Sequence, residues 1–160
     1  TIGFSINLSG PSVGSESFFR FVQEKLQEYG VRPASVCFEI TETAAIGNLS
    51  KAQKFIKHFR ELGCAFSLDD FGSGLSSYAY IQKLPVDYIK IDGIFISNID
   101  TNPQDQALVK SINELAHFMG MQTVAEYVEN YDILDVLKDI GVDHCQGFGI
   151  KKPILLSDLS

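Results

Sequence analysis

Polar residues interrupt the apolar alternation of four segments that the sequence predicts to be β-strands. Side chains along a strand alternate between its two faces, so each segment places isoleucine, leucine or phenylalanine on one face and polar residues on the other. The polar positions are Asn7, Glu39, Asp69, Lys90 and Asp92. Because an unpaired buried charge costs several kcal/mol, their common strand phase indicates a shared site that compensates the charges.

The ligand atoms that these residues offer are carboxylate and amide oxygens. Such ligands suit Mg²⁺ or Mn²⁺, whereas Zn²⁺ prefers cysteine and histidine, and no histidine stands at a suitable spacing. The neighbouring Asp69 and Asp70 suit two cations about 3.5–4 Å apart, as in two-metal phosphoester hydrolysis. Lys90 is suited to orient a water molecule or to stabilise a phosphoryl oxygen.

Two reactions fit these residues. One is metal-assisted hydrolysis of a phosphodiester, and the other is proton abstraction beside a carboxylate on an enolase-like barrel, with Lys90 as the base. The doubled aspartate and the glycine-rich residues 71–74 favour hydrolysis. Purely structural interpretations also exist, because Asp69 and Asp70 could cap a turn and Glu42 could begin a helix.

Strand and helix patterns alternate from end to end, which predicts an α/β protein with a parallel sheet. Periodicity alone leaves two architectures open, a barrel that lacks two strands and a smaller open sheet. Strands are predicted at 3–9, 36–41, 65–69, 88–92, 123–128 and 144–150. Helices are predicted before Gly30, between Asn48 and Gly63, over 75–83, from Pro103 to Gly120, between Asn130 and Gly141, and from Ser157 onward. Glu126 and Gln146 interrupt the last two strands in a less regular phase.

The composition predicts one globular domain, residues 1–160, with 45% hydrophobic residues and a net charge of −7. This acidity disfavours bulk nucleic-acid binding. No apolar run approaches the roughly 20 residues of a membrane span, so no direct membrane insertion is expected. The cysteines Cys37, Cys64 and Cys145 stand far apart in or beside apolar runs, which favours buried thiols in a reducing compartment.

Six stretches resemble the motifs of one family. Residues 5–9 (SINLS) resemble its V-N-L-S strand, and residues 38–42 (FEITE) resemble its E-x-T-E motif. Residues 69–78 (DDFGSGLSSY) resemble D-D-F-G-[ST]-G-x-S-S, and residues 84–92 (LPVDYIKID) resemble its L-P-V-D and K-I-D block. Residues 125–129 (AEYVE) resemble A-E-G-V-E, and residues 146–148 (QGF) resemble Q-G-[YF]. The motifs occur in order over almost the whole chain, which is thereby identified as resembling the EAL domain of bacterial cyclic-di-GMP signalling.

The resemblance implies a modified TIM barrel that hydrolyses cyclic di-GMP to linear pGpG with two Mg²⁺ or Mn²⁺ ions. It implies that Asn7, Glu39 and Asp69 bind the first metal ion. Asp70 is implied as a ligand of the second ion, with the attacking water between it and Asp69.

The resemblance also implies roles around the metal ions. Lys90 would contact the attacking water or the phosphate, and Glu126 and Gln146 would complete the metal and water shell. Glu42 would anchor the loop over residues 70–74, which in this family links the site to the dimer interface. Two further residues are expected to support the residues that bind the metal ions without binding the ions themselves: Glu129 and Asp92.

Two kinds of departure from the family pattern qualify this expectation. The Glu-Ala-Leu segment, which supplies another metal ligand, would lie upstream of Thr1, and the early strands and helices are absent. We therefore expect an incomplete barrel with little or no hydrolysis by this chain alone. Tyr127 replaces the usual glycine, and residues 149–153 (GIKKP) replace a more usual aromatic-apolar stretch.

These departures keep a second function open, a degenerate EAL domain that binds cyclic di-GMP or a partner without hydrolysis. A purely structural dimerisation module is disfavoured by the intact polar residues. By resemblance, a cytoplasmic homodimer with sensory or GGDEF-type domains upstream is expected, in a parent protein that could be membrane-anchored.

Overall fold

The computed structural model describes residues 3–73 and 78–158 and contains helices and strands in alternation. The strands are β1 (Phe4–Leu8), β2 (Val36–Thr41), β3 (Ala65–Phe71), β4 (Tyr88–Ile91), β5 (Gln122–Ala125) and β6 (His144–Cys145). The helices are α1 (Gly10–Val13), α2 (Glu16–Glu28), α3 (Glu42–Gly47), α4 (Leu49–Glu61), α5 (Tyr78–Ile81), α6 (Gly93–Ile96), α7 (Pro103–Phe118) and α8 (Tyr131–Ile140), with 3₁₀ turns at Pro33–Ser35 and Leu156–Asp158.

The chain divides into two compact units, Thr1–Ile89 (unit 1) and Lys90–Ser160 (unit 2). Each unit has its own parallel strands, and β4 begins in one and ends in the other. The prediction of a single domain over 1–160 stays a prediction.

Unit 1 is built on β1, β2 and β3, which pair in parallel in that order. The register aligns Asn7 with Glu39, Glu39 with Ser67, and Thr41 with Asp69. The burial of β2 alternates residue by residue, as its sequence predicts, so the polar positions share one face.

The opposite face of this sheet carries an aromatic core. Phe38 and Phe66 project from β2 and β3 onto α4, where they face Phe55 and Phe59. The ring centroid of Phe38 lies 5.9 Å from that of Phe55, 5.7 Å from that of Phe59 and 5.4 Å from that of Phe66, and the centroids of Phe66 and Phe55 are 6.1 Å apart. Helix α4 forms because its apolar residues recur at helical spacing without glycine or proline, and Phe55 and Phe59 are at most 1% exposed. Each such ring contributes about 1.5–3 kcal/mol by burial.

Unit 2 packs α7 and α8 around the parallel pair β5 and β6. Asn102 caps α7, and Asn130 caps α8, which ends at Gly141 in the left-handed conformation. Inside the unit, the Thr123 hydroxyl donates to Asn113 Oδ1 at 2.5 Å, so that this buried polar pair is satisfied internally.

Several predicted elements are confirmed, and others differ. The prediction of a strand over 144–150 was wrong beyond its first two residues, because the chain turns at Gly147, whose carbonyl accepts from Ile150 and Lys151 N–H. Strand β5 likewise ends at Ala125 instead of residue 128. The short helices α1, α3 and α6 were not predicted, and residues 74–77 of the helix predicted over 75–83 lie outside the described residues.

Among the described residues, none of the helices combines the length and apolarity that a membrane span requires.

Candidate active-site residues

Unit 1 brings oxygen ligands together on the face of its sheet opposite the aromatic core. Asn7 and Glu39 are register partners on neighbouring strands, which lie about 4.8 Å apart in any sheet. Asp69 shares this face, because it aligns with Thr41, two residues beyond Glu39. Glu39 and Asp69 are partly buried, and Asn7 is exposed at the edge strand.

Asp70 follows in a left-handed backbone conformation, with φ of 55°. Its carbonyl accepts hydrogen bonds from the Ser73 N–H at 3.4 Å and the Ser73 hydroxyl at 2.8 Å. A non-glycine residue in this region is strained, and such strain is concentrated at functional sites. Asp69 and Asp70 each offer a carboxylate oxygen, and these two oxygens lie within 4.8 Å of each other.

Glu42 lies at the start of α3, directly after β2, and is 3% exposed. Its Oε2 accepts a hydrogen bond from the Gly72 N–H at 3.4 Å. The Glu42 carboxylate therefore ties the end of β2 to the segment that follows Asp70. Gly72 belongs to the loop over residues 70–74, of which Gly74 lies outside the described residues, and the anchoring role of Glu42 stays a prediction.

Unit 2 holds a second set of polar side chains, which share one carboxylate oxygen. Lys90 Nζ lies 2.9 Å from Glu126 Oε1, and Gln146 Nε2 donates to the same atom at 2.8 Å. The Lys90 and Glu126 side chains are only 6% and 10% exposed. The pair therefore compensates two buried charges, and removing either partner would leave the other at a cost of about 3–5 kcal/mol.

The backbone around these residues is fixed by β-type hydrogen bonds beyond the ends of the strands. Glu126 N–H donates to Ile91 O at 3.4 Å, and Val128 N–H donates to Gln146 O at 3.1 Å. A β-carbon at Gly147 would collide with the Val128 backbone, lying 2.7 Å from its carbonyl carbon. The Gly in the Q-G-F stretch is thus needed for close backbone approach, which holds Gln146 beside Glu126.

The remaining predicted residues have simpler surroundings. The Asp92 carboxylate accepts from the Ile94 N–H at 3.0 Å and caps α6, so it acts as a helix cap. Glu129 is exposed. Sequence reasoning missed Ser67, whose buried hydroxyl lies in the same register row as Asn7 and Glu39 and has no hydrogen-bond partner among the described residues. The only signal for it was the strand phase that it shares with Asp69.

The unit 1 residues fit a divalent cation by their chemistry. Glu39, Asp69 and Asp70 offer carboxylate oxygens and Asn7 an amide oxygen, which is the ligand type of Mg²⁺ and Mn²⁺. The orphan hydroxyl of Ser67 in the same row is the kind of buried polar atom that a hydrated ion would satisfy. These residues are therefore candidates to hold a metal ion.

An α/β protein with parallel strands and polar residues at the strand ends is the class that these observations define. The model of the EAL domain family matches residues 1–153. The chain belongs to the EAL domain family.

Two bacterial relatives are named for the same enzymatic activity. The chain is 48% identical over 149 residues to the cyclic di-GMP phosphodiesterase PdeB of Shewanella oneidensis, covering 93% of this chain and 17% of that protein. It is 43% identical over 155 residues to the cyclic di-GMP phosphodiesterase PdeF of Escherichia coli, covering 97% of this chain and 21% of that protein. The chain thus spans about a fifth of the length of these relatives.

Solved structures share the fold. The PaMucR phosphodiesterase in complex with c-di-GMP superposes with a TM-score of 0.92 at 28% identity, over 99% of this chain and 64% of that one. The EAL domain of Mycobacterium smegmatis DcpA gives 0.91 at 34% identity, over 98% of this chain and 70% of that one. The predicted α/β fold of an EAL domain is therefore confirmed.

Proposed function

We propose that this chain carries hydrolytic residues of a cyclic-di-GMP phosphodiesterase. In the proposed reaction, water adds across one P–O3′ bond of cyclic di-GMP. The phosphorus gains the water oxygen, the ribose 3′ oxygen leaves with a proton, and the product is linear pGpG. The likeness to two named cyclic di-GMP phosphodiesterases and to a solved c-di-GMP complex supports this substrate.

The observation that carries the proposal is the position of the polar residues relative to the strands. Each strand has one of them on it or directly after its last residue, and in parallel α/β enzymes the carboxyl ends of the strands carry the chemistry. In strand order these residues are Asn7, Glu39, Asp69, Lys90, Glu126 and Gln146.

The unit 1 residues would hold two Mg²⁺ or Mn²⁺ ions, with Asn7, Glu39 and Asp69 at the first and Asp70 at the second. When bound, such cations polarise a phosphoryl oxygen and make water a nucleophile at neutral pH. Among the protein groups, Lys90 would stabilise negative charge on the phosphate. The Gln146 amide and the Lys90 ammonium hold the Glu126 carboxylate in place.

The experiment that tests this function is turnover of cyclic di-GMP by the parent protein, first in Mg²⁺ and then in Mn²⁺. We expect pGpG to form, and we expect the rate to fall by more than about 100-fold in the Asp69→Asn variant. Mutating a residue that only hydrogen-bonds to a metal ligand already lowers metal affinity or activity by about 10–100-fold. Chromatography of the nucleotide products measures both rates.

A matched control is Asp158→Asn, a carboxylate in the 3₁₀ turn at the end of the described chain, which should leave the rate unchanged. Equal rates in Asp69→Asn and the control would refute the proposed metal-ligand role. Comparing chain 1–160 with the parent protein tests the expectation that the shorter chain hydrolyses little.

A second function, binding of cyclic di-GMP without hydrolysis, is favoured by one observation. Tyr127, beside Glu126, holds φ of 55° where the family motif has glycine, so a large side chain stands on a left-handed backbone next to a proposed site residue. Tight binding by the parent protein without pGpG would establish this receptor function in place of the enzyme.

We also propose a cytoplasmic homodimer that acts within a longer protein. The Glu42 contact to Gly72 supports the family's coupling of this loop to a dimer interface. Relatives about five times as long as the matched segment support additional domains in the parent.

A further inference from the structure

The side chain of Tyr127 occupies the space that a side chain at Gly93 would need. A β-carbon built on Gly93 would have as its three nearest neighbours atoms of Tyr127 alone, at 2.6 Å from Cγ and 3.0 Å from Cβ, and closer still to Cδ2. Real β-carbons essentially never come this close to another heavy atom, so no side chain at 93 is compatible with this tyrosine position. The sequence contains no local signal for this pairing.

The backbone of Tyr127 is strained and yet held in place. Its φ of 55° lies in the left-handed region, which glycine adopts freely and tyrosine rarely does. Hydrogen bonds fix the peptides on both sides, from Glu126 N–H to Ile91 O and from Val128 N–H to Gln146 O. Tyr127 is 62% exposed, so deep burial does not account for its position, and its side chain lies directly against Gly93.

The strained residue is the neighbour of Glu126, whose carboxylate must meet Lys90 and Gln146. The direction of the Glu126 side chain depends on the backbone at 126 and 127, because both peptides flank the turn at the end of β5. A tyrosine ring that rests on Gly93 restricts this turn to one conformation. A glycine at 127 would permit many conformations of the turn.

We propose that Tyr127, seated on Gly93, is a positioning residue that holds the Glu126 carboxylate against Lys90 and Gln146. Its effect on hydrolysis rests on the proposed function, whereas its effect on the Glu126 position does not. The nearest obstacle to a side chain at 93 is Tyr127, which makes the two positions energetically coupled.

The test is a double-mutant cycle on the intact chain, with wild type, Gly93→Ala, Tyr127→Gly and the double variant. Two quantities are measured: the thermal midpoint, and the NMR signals of the Gln146 side-chain amide, which donates to Glu126 Oε1. Gly93 begins helix α6 and its φ is not left-handed, so its backbone admits alanine, and the three nearest atoms that the added β-carbon would meet all belong to Tyr127.

We expect Gly93→Ala alone to lower the midpoint by several degrees and to shift the Gln146 amide signals. In the Tyr127→Gly background the same substitution should change the midpoint by less than half as much. Tyr127→Phe, which keeps the ring, should retain the wild-type amide signals, and Tyr127→Gly should shift them. Gly10→Ala is the matched control, since Gly10 also begins a helix and its β-carbon would make only ordinary contacts at 3.6 Å.

An equal effect of Gly93→Ala in both backgrounds would overturn the steric pairing. Unchanged Gln146 amide signals in Tyr127→Gly would overturn the positioning role. In the parent protein, kcat should fall about tenfold in Gly93→Ala and in Tyr127→Gly, with KM within about twofold, and the double variant should fall no further than either single variant. Absence of turnover in the wild type would refute the proposed phosphodiesterase function, while the midpoints and amide signals would still decide the positioning role.

Discussion

At the scale of single residues, the environment decides which titratable groups are available for chemistry. Burial raises the pKa of the Cys64 thiol to about 11 and also raises the pKa of Cys145, although Lys138 opposes the second shift. Both remain protonated thiols at neutral pH, and no cysteine among the described residues forms a disulfide. The prediction of buried thiols is confirmed for Cys64, whereas Cys37 and Cys145 are only partly buried.

Asp143 gives a residue-scale prediction with a defined pH window. Burial by itself raises the pKa of this carboxyl, but hydrogen bonds from Thr123 and from His117, whose Nε2 lies 2.8 Å away, lower it, and the net pKa is below its ordinary value. A depressed folded pKa stabilises the protein above the unfolded pKa of about 3.9 and loses that contribution as pH falls through the folded pKa.

The expected result is that Asp143→Asn lowers the free energy of unfolding at pH 7 by about 1–3 kcal/mol, because charged hydrogen bonds are lost. The difference from wild type should begin to shrink as the pH falls below the unfolded pKa of about 3.9, and should be smallest below the folded pKa, where the carboxyl is protonated in both states. Urea unfolding at pH 7 and pH 3 measures it. A difference that stays constant or widens in acid would contradict the assignment.

At the scale of elements, strong local signals were read correctly from the sequence, and tertiary contacts account for the failures. Helices α7 and α8 were predicted close to their observed bounds, from Pro103 to Gly120 and between Asn130 and Gly141, because caps and periodicity act within one turn. The end of β6 was predicted wrongly because Gln146 and Phe148 continue the alternation, whereas the packing of Gly147 on Val128 turns the chain. Helix α6 was missed because Asp92 was assigned to the sheet face and in fact caps this helix.

The candidate site was predictable to the extent that it lies on regular strands. The phase of β2 and β3 identified Glu39 and Asp69, and the register places them on one face. Glu126 and Gln146 lie beyond the strand ends, where strand alternation no longer applies, so the strand phase indicated them only irregularly and the family motifs supplied the clearer signal. The Tyr127–Gly93 contact joins residues on separate elements, and one sequence without its fold does not reveal it.

The cap of α7 supports an element-scale prediction. Asn102 Oδ1 accepts from the N–H groups of Gln104 and Asp105 at 3.0 and 3.4 Å, and its amide donates to Asp105 at 2.6 Å. We expect Asn102→Ala to lower stability by about 1 kcal/mol. At about 2–4 °C per kcal/mol for a chain of this size, calorimetry should resolve the shift in Tm.

Gln104→Ala is the control for this cap, since Gln104 is an exposed residue of the first turn of α7 whose side chain makes no described capping contact. Surface substitutions of this kind change stability by less than about 0.5 kcal/mol. If both variants melted alike, the hydrogen bonds of Asn102 would contribute nothing to the helix.

At the scale of the whole molecule, the fold tolerates extensive change in sequence. The superposition with the DcpA EAL domain reaches a TM-score of 0.91 although only 34% of residues are identical. The described core residues are mainly aliphatic and phenylalanine side chains, which can be exchanged for others of similar volume at modest cost. Oxygen ligands have no such substitutes, because a carboxylate that holds a cation cannot be replaced by an apolar group of equal size. The polar strand positions, proposed as metal ligands, should therefore tolerate substitution less than the core positions do.

The same carboxylates link cation binding to the stability of the whole chain. The chain carries a net charge of −7, and three of its acidic residues, Glu39, Asp69 and Asp70, are proposed to hold divalent cations. A ligand that binds only the folded state stabilises it by about 2.7 kcal/mol when its concentration is a hundred times its Kd.

We therefore expect saturating Mn²⁺ or Mg²⁺ to raise Tm by roughly 5–10 °C, and chelation by EDTA to reverse the increase. Asp69→Asn should lose most of this increase, whereas Asp135→Asn, an exposed carboxylate of α8, should keep it. Differential scanning calorimetry without nucleotide separates this effect from catalysis. An equal rise in both variants would show that the cations act on the overall negative charge, and the metal-ligand assignment of Asp69 would then fail.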